Sequence, residues 1–217
     1  SIMFIEIIEK VSIGDMINIG MAKAKSPYVL VLTEEFCTQK FNFTPKFANQ
    51  LISKNVFCVA PKIVSSSYNN YPIMVEPLVE KNQFNLKFSA TYKDNQKTFF
   101  PFFLIGFYNR EKYIQLGGMD YTISSEYWQK CDFFFRAWLW GERIVLNINF
   151  VFVLADSNMN EDKTVDFSYL RFYLKNLLPV YNVDHAYIHK RSFFSYKRKN
   201  PIGLTDSLRQ FKDAKRW

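Results

Sequence analysis

The chain has 217 residues, enough for one domain of α/β size with a small appendage. Apolar residues make up 48% and aromatics 18%, including 23 Phe and 13 Tyr, which excludes an intrinsically disordered chain and predicts a large, ring-rich core. The net charge of +8 is concentrated at one end: from Lys190 to Trp217 there are nine Lys/Arg against Asp206 and Asp213, a net +7, so the rest of the chain is nearly neutral.

No run approaches 18 apolar residues, and the aromatic-rich stretch Phe99 to Tyr108 is too short to span a bilayer. No signal-peptide pattern is visible. Cys37, Cys58 and Cys131 are far apart and without metal-ligand spacing, which predicts small buried hydrophobes in a reducing, cytoplasmic setting. Asn42-Phe43-Thr44 matches a glycosylation acceptor by chance.

In chain order, Ile2 to Ile8 reads as a strand and Asp15 to Lys25 as a helix. Tyr28 to Leu32 is a continuous apolar run, the pattern of a strand buried on both faces of a parallel sheet. Thr44-Pro45 is a helix start, Thr as N-cap and Pro in the first turn, followed by the apolar stripe Phe47, Ala48, Leu51 and Ile52. Val56 to Val64 is a further buried strand, and the alternation of helix and strand indicates a layered α/β fold.

Ser65 to Asn70 is a loop by composition. Pro72 to Val79 and Phe84 to Tyr92 read as shorter antiparallel strands, Phe102 to Tyr108 as a strand, and Arg110 to Leu116 as a short helix. Ser125 to Trp140 is an amphipathic helix with Tyr127, Trp128, Cys131, Phe134, Phe135, Trp138 and Leu139 on its apolar side, capped by Ser124 or Ser125 and stopped by Gly141. Arg143 to Leu154 is a strand, and Val165 to Leu178 a second amphipathic helix ended by Pro179.

Five groups bear on chemistry. Thr33-Glu34-Glu35 follows a buried strand, where open α/β sheets bind ligands and where carboxylates hold a hard cation against a diphosphate; the plain alternative is an acidic turn. In Gly117-Gly118-Met119-Asp120 a tight corner carries a carboxylate suited to accept a hydroxyl proton; the alternative is a helix C-cap with a turn-stabilising Asp. Asp132 and Arg136 lie one turn apart opposite the aromatic stripe, the spacing of a helix-surface ion pair. His185 and His189 lack a third ligand for zinc. The stretch Phe193 to Lys199 mixes rings with cations, suiting an anionic membrane surface, with RNA as the less favoured partner.

Taken in order, these segments resemble family-2 glycosyltransferases of the A-type fold. Asn18 to Leu32 is similar to the family's "N-x-G … A-x-G-x-Y-x-x-F-L" passage, and Thr33-Glu34-Glu35 falls at its Asp-any-Asp metal motif. Phe102 to Asp120 is similar to "x-F-x-x-R-R-x-x-F-x-x-x-G-G-F-D", and Gln129 to Ile144 to "E-D-x-D-L-x-x-R-x-x-x-x-G-Y-x-I". The likeness covers roughly residues 10 to 155 and leaves the family's nucleotide-binding strands, upstream of Ser1, unmatched. It departs at the metal motif, where Thr33 and Glu35 stand in the two Asp places, and at the Glu-Asp pair that carries the usual base, which reads Gln129-Lys130.

The resemblance implies a mixed, mostly parallel sheet with helices on both faces, like the C-terminal two-thirds of such a domain, over residues 1–160, with 161–217 a helical, basic extension. It implies sugar transfer from a nucleotide-sugar to a glycan or lipid-linked acceptor in surface polysaccharide or glycolipid assembly, with Mn²⁺ or Mg²⁺ on the diphosphate. Asp120, Asp132 and Lys130 are then the catalytic candidates, Glu34, Glu35 and Arg136 the donor site, Gly117, Gly118 and Asp120 the acceptor site, and Glu35 the metal ligand. Lys130 offers a way to neutralise a diphosphate without metal. On this reading Glu35 and Asp120 converge on one cleft at the rim of the sheet. The competing reading is an inactive scaffold that binds a sugar or partner on the same fold.

Overall fold

The computed structural model describes residues 5–8, 11–33, 43–80, 83–154, 161–182, 186–188, 193–194 and 203–214. Its centre is a four-stranded sheet of β1 (Tyr28–Val31), β5 (Gly106–Asn109), β2 (Cys58–Ser65) and β6 (Ile144–Leu154), in that order. The sheet is mixed: β5 pairs antiparallel with both β1 and β2, and β2 pairs in parallel with β6, so β1, β2 and β6 share one direction and β5 alone runs against them. β1 is an edge strand whose four residues are all half-buried, so its apolar run does not mark burial on both faces. Periodicity cannot tell an edge strand beside a cavity from a central one.

Side chains alternate across β5, and helices cover both faces. On one face Phe107 stacks on Tyr28 at 5.3 Å, and Phe47 of α2 (Pro45–Ile52) packs against Phe150 at 6.0 Å. On the other, Tyr108 meets Phe57 and Tyr113, the latter on α3 (Arg110–Gln115), and Tyr113 meets Phe133 of α4 (Glu126–Leu139) at 4.7 Å. α1 (Ile13–Lys23) lies against α3 and α4. The antiparallel hairpin of β3 (Met74–Glu80) and β4 (Gln83–Ser89) sends Phe84 in to meet Phe135 and Phe172.

Local chemistry sets most boundaries. The Ser12 side chain caps α1 in a reciprocal box with Asp15, Thr44 caps α2 with Pro45 behind it, and Ser125 caps α4. Gly141, at φ +75, takes the left-handed turn that ends α4. Two expected strands are corrected. Ile5 to Ile8 carries no strand, the rest of that segment lying outside the described residues. Phe102 to Tyr108 is broken by a 3-10 turn, Phe102–Leu104, in which Phe103 and Leu104 hold φ of 53° and 62°. An aromatic run looks like strand, and here packing imposes a corner instead.

α5 (Phe167–Asn176) lies along α4, with Phe172 5.5 Å from Trp128 and 5.9 Å from Phe135. Two-residue strands β7 (Val180–Tyr181) and β8 (Ala186–Tyr187) follow, then α6 (Leu204–Ala214), whose Phe211 stacks on Phe193 at 4.3 Å. Leu170, Phe172, Phe193, Phe211 and Ala214 belong to the same core as the sheet. Among the described residues no helix is long and apolar enough to cross a membrane.

Candidate functional site

Two neighbouring sites are built around α4. The first is the double-glycine corner after α3. Gly117 and Gly118 hold φ of 80° and 66°, conformations in which a Cβ is strained. Asn18 of α1 locks the corner: its Nδ2 donates to the Met119 carbonyl at 2.9 Å, and its Oδ1 accepts from Met119 N (2.9 Å) and the Tyr113 hydroxyl (2.8 Å). From the other side the Arg136 guanidinium donates to the carbonyls of Leu116 and, at 2.6 Å, of Gly118. A cation thus satisfies carbonyls that a helix end leaves open.

The carboxylates beside this corner are bound into a charge network. Asp132 is fully buried; its Oδ2 accepts from Arg136 Nε (3.0 Å) and Lys175 Nζ (3.0 Å), and its Oδ1 from Asn176 Nδ2 (2.7 Å). The expected helix-surface ion pair of Asp132 and Arg136 is therefore corrected. α5 covers that face of α4 and supplies the countercharge. Asp120 Oδ2 takes Lys175 Nζ at 2.9 Å and Arg171 Nε at 3.3 Å, and its Oδ1 takes the Thr122 N–H and hydroxyl at 3.0 and 2.5 Å. Burial pushes the Asp120 carboxyl upward, but the Thr122 bonds and the Lys175 ammonium outweigh it and hold the group well below the usual carboxylate range. A carboxylate held that firmly ionised is a weak proton acceptor near neutrality.

The second site is a cavity of about 1200 Å³ between α1, the end of β1 and the start of α4. Ile13, Ile17 and Met21 form one wall; Val29 to Thr33 and the strained Phe103-Leu104 turn form another. Gln129 and Lys130 face them, and Glu161, Asp162 and Asp166 stand at the side of α5. Gln129 is 1% exposed and bonded at both ends of its amide: its Oε1 accepts from the Ser12 hydroxyl (2.9 Å), and its Nε2 donates to the Asp120 carbonyl (3.1 Å). It thereby ties the cavity to the glycine corner. Lys130 is 5% exposed, paired with Glu161, its ammonium 4.4 Å from the centre of the Phe100 ring.

The sequence-predicted residues divide accordingly. Gly117, Gly118, Asp120, Asp132 and Arg136 come together at the corner, while Lys130 lines the cavity. Asp120 is not among the cavity's lining residues. Glu34 and Glu35 lie outside the described residues, as do Cys37, His185, His189 and most of the basic tail; Thr33, the residue before Glu34, lines the cavity. Among the described residues no group of three or more His, Cys, Asp or Glu is arranged to hold a metal ion.

Sequence reading missed Arg171, Lys175 and Asn176, the partners of Asp120 and Asp132, and Glu161. Arg171 and Lys175, four apart on an amphipathic helix, were the available signal. No protein-family model matches the chain, and no curated protein is significantly similar to it.

Proposed function

We propose that this chain is a glycosyltransferase-like domain that receives a nucleotide-sugar in the cavity between α1, β1 and α4, in the assembly of surface polysaccharide or glycolipid. One observation carries the reading. The cavity unites Thr33, the first residue of the segment that the resemblance places at the metal motif, with Gln129 and Lys130, which stand at the family's acid pair. A cavity of about 1200 Å³ has room for a nucleotide-sugar, since pockets that take drug-sized ligands are roughly 300–1,000 Å³. The apolar wall of α1 suits a flat base, and the polar wall of α4 suits phosphate and sugar hydroxyls. Mn²⁺ or Mg²⁺ would be held by Glu35; that assignment rests on the resemblance alone. The lipid-linked acceptor rests on the same ground, and the anionic membrane contact on the mixture of rings and cations in the tail.

A second reading, binding without turnover, draws on a separate observation. Asp120 and Asp132 are both held by cationic and neutral donors, and Gln129 stands where the family has its acid pair. Each Asp120 oxygen already takes two donors, and Asp132 is wholly buried, so neither carboxylate is free to receive a substrate proton.

The experiment is a thermal-shift titration with uridine and guanosine diphosphate sugars, with and without Mn²⁺, paired with detection of released nucleoside diphosphate. At a hundredfold excess over Kd a ligand stabilises by about 2.7 kcal/mol. For a chain of this size that raises Tm by about 5–11 °C. A shift with release supports transfer, and a shift without release supports the second reading. No shift with any donor overturns the proposal.

A further inference from the structure

Lys130 is the cation among the described residues that line the cavity. Its ammonium is buried between rings, 4.4 Å from the centre of Phe100 and 5.5 Å from that of Tyr127. Rings attract an ammonium but do not accept its three N–H donors as oxygen does. The oxygen it has is the Glu161 carboxylate, from a side chain one-third exposed on a stretch outside helix and strand. The neighbouring acids have other work: Asp162 takes the Thr164 N–H and hydroxyl at 2.9 and 2.5 Å, and Asp166 caps α5 through Ser168 N and Tyr169 N. A second ammonium, that of Lys163, lies 5.5 Å from the Tyr127 ring centre on an exposed side chain, with no ion pair among the described residues. Two cations therefore lie near the ring of Tyr127, which lines the cavity; Lys163, also 5.4 Å from the centre of Phe88, is not itself a lining residue.

We propose that the Lys130 ammonium is an anion subsite for a diphosphate, with Lys163 as its outer cation, and that Glu161 occupies this subsite until the ligand's phosphate displaces it. The carboxylate keeps a buried charge compensated in the ligand-free protein, and it sets a threshold that only a stronger anion crosses. Diphosphate carries more charge and more acceptor oxygens than a carboxylate, and its two linked phosphates reach two cations at once. This rests on the reading of the cavity as a donor site.

The test titrates inorganic diphosphate, with and without Mg²⁺, into the wild-type 217-residue chain, Glu161→Gln and Lys130→Met at matched ionic strength, by calorimetry and thermal shift. Glu161→Gln has a lower Tm than wild type without ligand, binds diphosphate at least tenfold more tightly, and regains the lost Tm with diphosphate but not with chloride. Lys130→Met binds at least tenfold more weakly than wild type. If Lys130→Met does not fold, the Glu161→Gln comparison decides alone. Equal affinity of wild type and Glu161→Gln for diphosphate, or binding to neither, overturns the proposal. The two readings separate: if nucleotide-sugars bind wild type and Glu161→Gln equally, the subsite fails and the donor site stands. If Glu161→Gln tightens diphosphate while no nucleotide-sugar binds better than diphosphate, the subsite stands and the donor site fails.

Discussion

Asp132→Asn is the most informative single substitution, because it changes the charge of one atom group without changing its shape. Asp132 is completely buried, and its oxygens accept from Arg136, Lys175 and Asn176 at 2.7–3.0 Å. An amide there has one acceptor oxygen in place of two and sets its own N–H groups against donors. Arg136 and Lys175 lose a shared countercharge, although both are partly exposed, at 19% and 24%, and recover some hydration. Breaking a buried pair from one side costs about 3–5 kcal/mol, and that partial exposure puts this case at about 3. At about 2–4 °C per kcal/mol, Tm falls by about 6–12 °C. Lys175→Met should cost less, about 1.5 kcal/mol, the value of a hydrogen bond to a charged group. It leaves Asp132 with Arg136 and Asn176, and Asp120 with Arg171 and Thr122. Urea unfolding of both single variants and the double variant gives the coupling. A loss below 2 °C for Asp132→Asn, or a larger loss for Lys175→Met, would refute the view that α5 neutralises a buried charge on α4.

The glycine corner and the acid response provide two further tests. At Gly118, φ is +66 and a Cβ would sit 2.6 Å from Asn18 Oδ1, so Gly118→Ala should cost about 2–3 kcal/mol of strain and lost hydrogen bonding. At Gly117 a Cβ meets only Arg136 Nη1 at 3.9 Å, so Gly117→Ala should cost the left-handed backbone term alone, about 1–2 kcal/mol. Reversal of that order in urea melts would show that Asn18 does not lock the corner. Asp120, whose folded pKa is depressed, contributes stability that is complete above its unfolded pKa of about 3.9 and is lost as pH falls toward its folded value. Chemical-denaturation curves at pH 6 and pH 3 should therefore differ less for Asp120→Asn than for wild type. An unchanged pH dependence would contradict the Lys175 and Thr122 contacts as the cause.

The elements that local chemistry controls were legible from the residues alone. Thr44 and Pro45 opening α2, Ser125 and Gly141 bounding α4, and the Gly117-Gly118 corner all carry their geometry in residue type, through a side-chain cap, a fixed φ or a missing Cβ. The β3–β4 hairpin was legible for a similar reason: two short apolar runs with a polar break between them. Strand position and pairing were not, because the same run Tyr28–Val31 fits a central strand of a parallel sheet and an edge strand paired with an antiparallel neighbour.

The candidate sites were legible only by half. Asp120, Asp132, Arg136 and Lys130 stand out in the sequence as charges among rings. Their state depends on Lys175, Arg171, Asn176 and Glu161, from 31 to 55 residues downstream. Asn18 reaches its partner Met119 across 101 residues. Helical period shows which side of α4 is polar, and nothing local tells whether that side meets water or another helix. Of ten buried residues on this fourteen-residue helix, three are Gln129, Lys130 and Asp132. Caps, turns and the helical and strand periods follow from each residue's own backbone and its near neighbours, so the chain determines them by itself. Which charges become buried, and which cation compensates them, is decided only when α5 folds over α4, because a charge is affordable in the interior only once its partner is in place.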